Sequence, residues 1–117
     1  MNNFMNWIEI KSLHQLEEIK KESENNPVLI FKHSTRCSTS RMTLDRLERN
    51  WNSHEMSAIT PYFLDLISHR EISNQIAQHF GVEHESPQVL IISRGESVVD
   101  LSHFEIDYHQ IKRSIKN

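Results

Sequence analysis

Cys37 is the only cysteine among the 117 residues, and its position in the sequence makes it a candidate nucleophile. An apolar run at residues 28–31 precedes it and a segment with helical periodicity follows it, so Cys37 is predicted to open a helix after a buried strand. The first turn of a helix offers unpaired N–H groups and the positive end of the helix dipole, which both favour a thiolate over a thiol. We therefore expect Cys37 to be more reactive than an ordinary cysteine.

The alternative for Cys37 is a small buried side chain without a chemical role, which describes most free cysteines. The segment around it is polar, and this favours an accessible thiol. The serine and threonine residues of this segment also have a structural interpretation, because loops and helix N-termini use such side chains to form hydrogen bonds with nearby backbone groups. We expect at least one of the following to act as a cap: Ser34, Thr35, Ser38 and Thr39.

Three cations near Cys37 in the sequence could stabilise a thiolate. Arg36 directly precedes the cysteine and is the cation that we expect to assist it. Lys32 belongs to the preceding strand. Arg41 lies one turn into the helix, where it could instead pair with Asp45.

The eight histidines do not predict a metal site, because no His-x-x-x-His or His-Glu-x-x-His pair occurs. His33 is different, since it lies four residues before Cys37 and could pair with the thiol or tune it. A solvent-facing imidazole at the end of the strand is the simpler expectation for His33.

Length and composition predict one domain, residues 1–117, with its own apolar core. The net charge of -3 is mixed along the chain, so neither nucleic acid nor an anionic membrane is an expected partner. No apolar run approaches the roughly 20 residues of a membrane-spanning helix, and residues 1–6 lack the features of a signal peptide. We expect a cytoplasmic protein, in which a lone cysteine stays reduced.

The elements that position Cys37 are predicted to alternate between strands and helices. Apolar runs predict strands at residues 7–10, 28–31, 61–66, 89–92 and 97–101, the last two forming a hairpin around Arg94 and Gly95. The order βαβαβαββα predicts an α/β fold with a mixed sheet of about five strands and helices on both faces.

Capping pairs predict where three of the four helices begin. These pairs are Ser12 with Gln15, Ser68 with Glu71, and Asp107 with Gln110. The first helix is expected to bury Leu13, Leu16 and Ile19, and the third to bury Ile72, Ile76 and Phe80 before Gly81 ends it.

This order of elements resembles the thioredoxin fold, with Cys37 at the end of the second strand and Pro87 just before the fourth. The resemblance implies that the Ser86–Pro87 bond is cis and that Pro87 faces the cysteine, where backbone groups pair with an incoming peptide or thiol. A trans proline in a turn is the alternative.

Residues 31–40, Phe-Lys-His-Ser-Thr-Arg-Cys-Ser-Thr-Ser, resemble the active-site segment of the monothiol bacilliredoxin family, which has about this length. The resemblance implies a thiol-disulfide oxidoreductase that acts on bacillithiol, a small thiol of some bacteria that lack glutathione. Family members more commonly have Pro-Ile after the cysteine. This chain has Ser38 and Thr39 there, which changes the start of the helix and the shape of the thiol-binding surface.

The same resemblance implies a single-cysteine mechanism, because Ser40 stands where dithiol thioredoxins carry a second, resolving cysteine. Cys37 would take bacillithiol from an S-thiolated client protein, and a second thiol or a reductase would regenerate it. Ser40 could donate a hydrogen bond to the Cys37 sulfur. Bacillithiol is thus expected as a co-substrate, with no bound cofactor. The residues expected to tune Cys37 or to bind the thiol are Arg36, Ser38, Ser40, His33, Ser86 and Pro87.

Two other functions are compatible with one active-site thiol. An iron-sulfur carrier resembling the monothiol glutaredoxins would hold a cluster between two subunits, with one cysteine from each and two small thiols. A thioredoxin-like binding module without activity would carry Cys37 merely as an exposed residue.

Overall fold

A five-stranded mixed sheet forms the centre of the molecule in a computed structural model, which describes residues 5–115. The strands are β1 (Ile8–Glu9), β2 (Val28–His33), β3 (Thr60–Asp65), β4 (Gln88–Ser93) and β5 (Glu96–Ser102). Their order is β1-β3-β2-β4-β5, in which β3 is parallel to both its neighbours and β4 is antiparallel to both of its own. β2 is therefore the central strand, as its continuous apolar sequence predicts.

The helices are α1 (His14–Glu22), α2 (Ser38–Asn50), α3 (Arg70–Phe80) and α4 (Tyr108–Ser114), with a short 3-10 turn at His103–Glu105. The predicted α/β class and the order βαβαβαββα are confirmed, and the 3-10 turn is an addition that the sequence did not predict. No helix among residues 5–115 is long and apolar enough to cross a membrane. Residues 1–4, which belong to the segment without signal-peptide features, lie outside the described residues, as do residues 116–117.

The two faces of the sheet carry separate apolar clusters. Leu29 and Phe31 of β2 pack with residues of α2 and α4 on one face, whereas Val28 and Ile30 pack with residues of α1 and α3 on the other. Side chains alternate between the faces along a strand. The end of β2 therefore directs Lys32 and His33 to opposite faces of the sheet. Of the two, only His33 lies on the face covered by α2, the helix that Cys37 precedes.

The start of α1 differs from the predicted capping box. The backbone N–H of Ser12 donates to Oε1 of Gln15 at 3.1 Å, but the Ser12 hydroxyl does not cap the helix. Leu13, which was expected to be buried, is 42% exposed because the helix begins one residue later, at His14. Leu16 and Ile19 are buried as predicted.

The start of α3 also differs, whereas that of α4 is as predicted. The Ser68 hydroxyl donates to Asp65 at 3.1 Å instead of capping α3, and His69 precedes the helix. Asp107 accepts a hydrogen bond from the Gln110 N–H at 3.2 Å, which confirms that cap.

Left-handed backbone occurs where glycine was predicted to end α3 and to turn the hairpin. Gly81 has φ 66° at the end of α3. Arg94 and Gly95 have φ 54° and φ 78° between β4 and β5, the two positive φ values of a two-residue hairpin turn. The predicted hairpin is thus confirmed.

Candidate functional site

Cys37 immediately precedes α2, as the sequence predicts. Its extended backbone (φ -111°, ψ 118°) lets its carbonyl accept from the Arg41 N–H at 3.1 Å, the first bond of the helix. Its own N–H donates to the Ser34 carbonyl at 3.2 Å, which closes the turn after β2. Cys37 is a partly exposed residue, so the alternative of a cysteine sealed in the core is wrong.

Ser40 is fully buried, and its hydroxyl binds partners other than the thiol. Its Oγ lies 2.7 Å from Nδ1 of His33 and accepts from the Ser34 N–H at 3.1 Å. Within residues 5–115 the Cys37 sulfur has no hydrogen-bond partner, so the predicted bond from Ser40 to that sulfur is not formed. Ser40 instead ties the end of β2 to the first turn of α2.

His33 is buried rather than solvent-facing, with 5% of its surface exposed. The expectation failed because β2 extends two residues beyond its apolar run, and the second of these points under α2. The ring packs against Phe63, with centroids 5.4 Å apart. Burial lowers the pKa of His33, Asp65 opposes this shift and Arg41 adds to it. The imidazole is therefore neutral at pH 7.

Lys32 lies on the opposite face of the sheet from α2. Its ammonium donates to the Ser73 carbonyl and contacts Nδ1 of His84, each at 3.4 Å. Lys32 therefore does not act on the thiol as a neighbouring cation, and the alternation of side chains along β2 is the reason. Burial lowers its pKa to about 8.

Arg36 and Ser38 flank Cys37 and are both exposed. Within the described chain, neither side chain forms an ion pair or hydrogen bond. Arg41 is exposed too, and the ion pair on this helix joins Asp45 to Arg49 at 2.9 Å rather than to Arg41. The structure thus leaves two arginines accessible near the thiol.

The Ser86–Pro87 peptide bond is cis, as the resemblance to thioredoxins implies. Gln88 pairs with Lys32 in the antiparallel ladder, so Pro87 lies at the same end of the sheet as the turn that carries Cys37. The Pro87 carbonyl accepts from the His103 N–H at 2.9 Å. The Ser86 hydroxyl is buried and has no partner among residues 5–115.

Residues 8–111 match the family model of the monothiol bacilliredoxin BrxC. The chain belongs to the monothiol bacilliredoxin family. Members of this family are thiol oxidoreductases, and the position of Cys37 before α2 gives the chain the one thiol that such chemistry needs.

Solved structures of other proteins share the fold of this bacilliredoxin. A protein described as a candidate oxidoreductase with a thioredoxin fold has 29% identity and a TM-score of 0.78, over 92% of this chain and 91% of that one. Thioredoxin from Trypanosoma brucei brucei has 12% identity and a TM-score of 0.73, over 97% and 91%. Thioredoxin from Malassezia sympodialis has 18% identity and a TM-score of 0.71, over 95% and 89%. The last two likenesses establish the fold alone.

Sequence reasoning missed Ser73 and His84, which surround the ammonium of Lys32. Neither residue has a spacing that connects it to Lys32, since they lie on α3 and on the segment before Pro87. The alternation of side chains along β2 places Lys32 on the face of Val28 and Ile30, but it does not identify the partners of Lys32 there.

Proposed function

We propose that this protein removes bacillithiol from S-bacillithiolated proteins through a mixed disulfide on Cys37. The proposal is supported by the family match together with one feature of the site, a partly exposed cysteine before α2 with a buried serine at the resolving position. Its setting is the reducing cytoplasm, where a lone cysteine stays available for exchange.

The first step is an attack by the Cys37 thiolate on the bacillithiol sulfur of a client's mixed disulfide. A disulfide bond forms between Cys37 and bacillithiol, and the bond between bacillithiol and the client breaks. The client sulfur leaves as a thiolate and takes a proton from water. The client cysteine is thereby reduced and Cys37 oxidised, so the step needs no further electron donor.

The second step needs an external thiol, because Ser40 cannot attack a disulfide. A second small thiol attacks the bacillithiol sulfur of the adduct and releases Cys37 as a thiolate. The product is the disulfide of the two small thiols, which a separate reductase returns to the thiol state. No bound cofactor takes part in either step.

The groups around Cys37 supply the binding surface in this proposal. Arg36 carries an exposed guanidinium suited to the carboxylates of a small thiol, and Ser38 lies at the start of α2 beside it. The segment Ser86–Pro87 offers backbone groups to the client chain at the same end of the sheet.

The test compares one model protein loaded on the same cysteine with bacillithiol, glutathione or cysteine. We expect wild-type protein to release the bacillithiol form fastest and to gain one bacillithiol mass, whereas Cys37→Ser does neither. Equal rates for the three adducts would remove the preference for bacillithiol, and no release from any would refute the activity. A coloured product after anaerobic iron and sulfide reconstitution would favour the iron-sulfur carrier instead.

A further inference from the structure

A polar cluster is buried on the face of the sheet opposite Cys37. The Lys32 side chain is fully buried, and its ammonium lies 3.4 Å from the Ser73 carbonyl and 3.4 Å from Nδ1 of His84. The Ser73 hydroxyl lies 3.2 Å from the same nitrogen. An ammonium has only donors to offer, so Nδ1 of His84 must act as the acceptor and the imidazole must be neutral.

His84 belongs to residues 82–86, the segment that leads into Pro87. Four contacts hold this segment. The Val82 N–H donates to the Ala77 carbonyl of α3 at 3.1 Å. The Gln88 side-chain amide donates to the Glu83 carbonyl at 3.0 Å, His84 bonds to the buried cluster, and Glu85 meets Nε2 of His103 at 2.9 Å. Of these contacts, the one made by His84 joins the segment to Lys32 of β2, the central strand of the sheet.

A proton on Nδ1 of His84 would remove this acceptor and set two cations side by side. Burial lowers the pKa of His84, Lys32 and Arg70 lower it further, and Glu85 opposes them. The charged groups that face the imidazole are thus two cations from β2 and α3 and one carboxylate from its own segment. Acid is therefore the condition that breaks this contact.

We propose that Lys32 and His84 are positioning residues that hold the Ser86–Pro87 segment in place for client binding, and that protonation of His84 releases this segment. The effect on clients rests on the proposed function, in which they bind beside Pro87. The release itself does not, because it follows from the contact between β2 and the segment.

The release is tested by amide hydrogen exchange of residues 82–88, corrected for intrinsic rates, between about pH 7.5 and about pH 5. We expect protection in the wild type to fall about tenfold in acid. His84→Asn keeps an acceptor near Nδ1 without titrating, so its protection should be independent of pH. Lys32→Met should lose the protection at both pH values, and His79→Asn, which alters an exposed histidine of α3, should behave like wild type. Equal acid loss in wild type and His84→Asn, or none in wild type, would overturn the proposal.

The consequence for clients is tested by the KM for a bacillithiolated model protein over the same range. We expect KM to rise about tenfold in acid for the wild type and to stay constant for His84→Asn, while kcat follows the same pH profile in both. A KM that rises equally in both proteins would separate the release from client binding and contradict the positioning role. If no protein turns over, the proposed function fails, and the exchange experiment still decides whether the segment is released.

Discussion

Nδ1 of His33 lies 2.7 Å from Oγ of Ser40, so the hydroxyl at the position of a resolving cysteine is bonded to the central strand and not to the thiol. The same oxygen accepts from the Ser34 N–H at 3.1 Å. Ser40 thereby fixes the turn between β2 and α2 and leaves the Cys37 sulfur without a hydrogen-bond partner in the described part of the chain. These hydrogen bonds hold the start of α2 against β2, and the Cys37 sulfur is left for external partners.

Ser40→Ala should destabilise the protein. The substitution leaves the buried Ser34 N–H without its acceptor and His33 without its hydroxyl partner, which costs about 1–3 kcal/mol of unfolding free energy. Urea denaturation measures this value. Ser38→Ala is the control, since that exposed serine has no described hydrogen bond and its loss should stay within about 0.5 kcal/mol. Equal stabilities of the two variants would argue against a structural role for the bond.

Ser40→Cys should convert the site to a dithiol. Residue 37 immediately precedes α2 and residue 40 lies in its first turn, so the new thiol is expected to reach the adduct on Cys37 and expel bacillithiol. Mass spectrometry of the variant should show an internal disulfide and less mixed adduct than in the wild type. An adduct as long-lived as that of the wild type would mean that the two sulfurs do not meet.

His33 should make folding stability depend on pH in mild acid. Burial lowers its pKa in the folded protein, whereas an unfolded histidine titrates near pH 6.5. As the pH falls through about 6.5, the unfolded chain takes up a proton that the folded protein does not. Stability therefore falls, by up to about 1.4 kcal/mol per pH unit for this group.

The matched variant for this effect is His33→Asn, which keeps an acceptor near Ser40 but does not titrate. His84 is shifted in the same direction, so the variant should reduce the pH slope and not abolish it. Urea unfolding at several pH values below about 7 gives the two slopes. Identical slopes for wild type and variant would show that His33 is not protonated differently in the folded state.

Lys32 should affect stability in alkali. Its pKa in the folded protein is about 8, while an unfolded lysine titrates near 10.4, so between these values only the unfolded chain holds the proton. Wild-type stability should therefore rise relative to Lys32→Met from about pH 7.5 to about pH 9.5, by about 1–2 kcal/mol. Urea denaturation of both proteins at the two pH values measures this change. A difference in unfolding free energy that does not change with pH would show that burial does not lower the pKa of Lys32.

Arg36 should contribute to binding of the small thiol. Its guanidinium is exposed next to Cys37, so Arg36→Ala is expected to raise the KM for the bacillithiolated client several-fold, and added salt should reduce the difference from wild type. Arg113→Ala, at the exposed end of α4, provides the control. An equal KM for the two variants would remove Arg36 from the binding surface.

The fold could be predicted from the sequence because its signals are local and strong. The apolar runs of β2 and β4, the glycine that ends α3 and the hairpin turn each specify one element, and the order of elements then leaves few topologies. The predicted capping boxes at Ser12 and Ser68 are wrong for the opposite reason. Exposed polar side chains have several partners within reach, and small energy differences decide between them.

The site could be predicted only in part. Cys37 and Pro87 are recognisable because the strand ends next to them are visible in the sequence. The environments of Lys32 and His33 depend on how far β2 extends and on the helices that cover each face. β2 continues for two residues beyond its apolar run, and these residues, Lys32 and His33, are therefore buried. A strand ending at Phe31 would have left both in water. Such pairings arise from tertiary packing, which no spacing in the sequence records.

The most direct test of the account is the intact mass of the protein after incubation with a bacillithiolated client. We predict that each chain gains one bacillithiol, that the mass maps to Cys37, and that the client appears in its reduced form in equal amount. A client that keeps its bacillithiol while the wild-type protein stays unmodified would contradict the central claim.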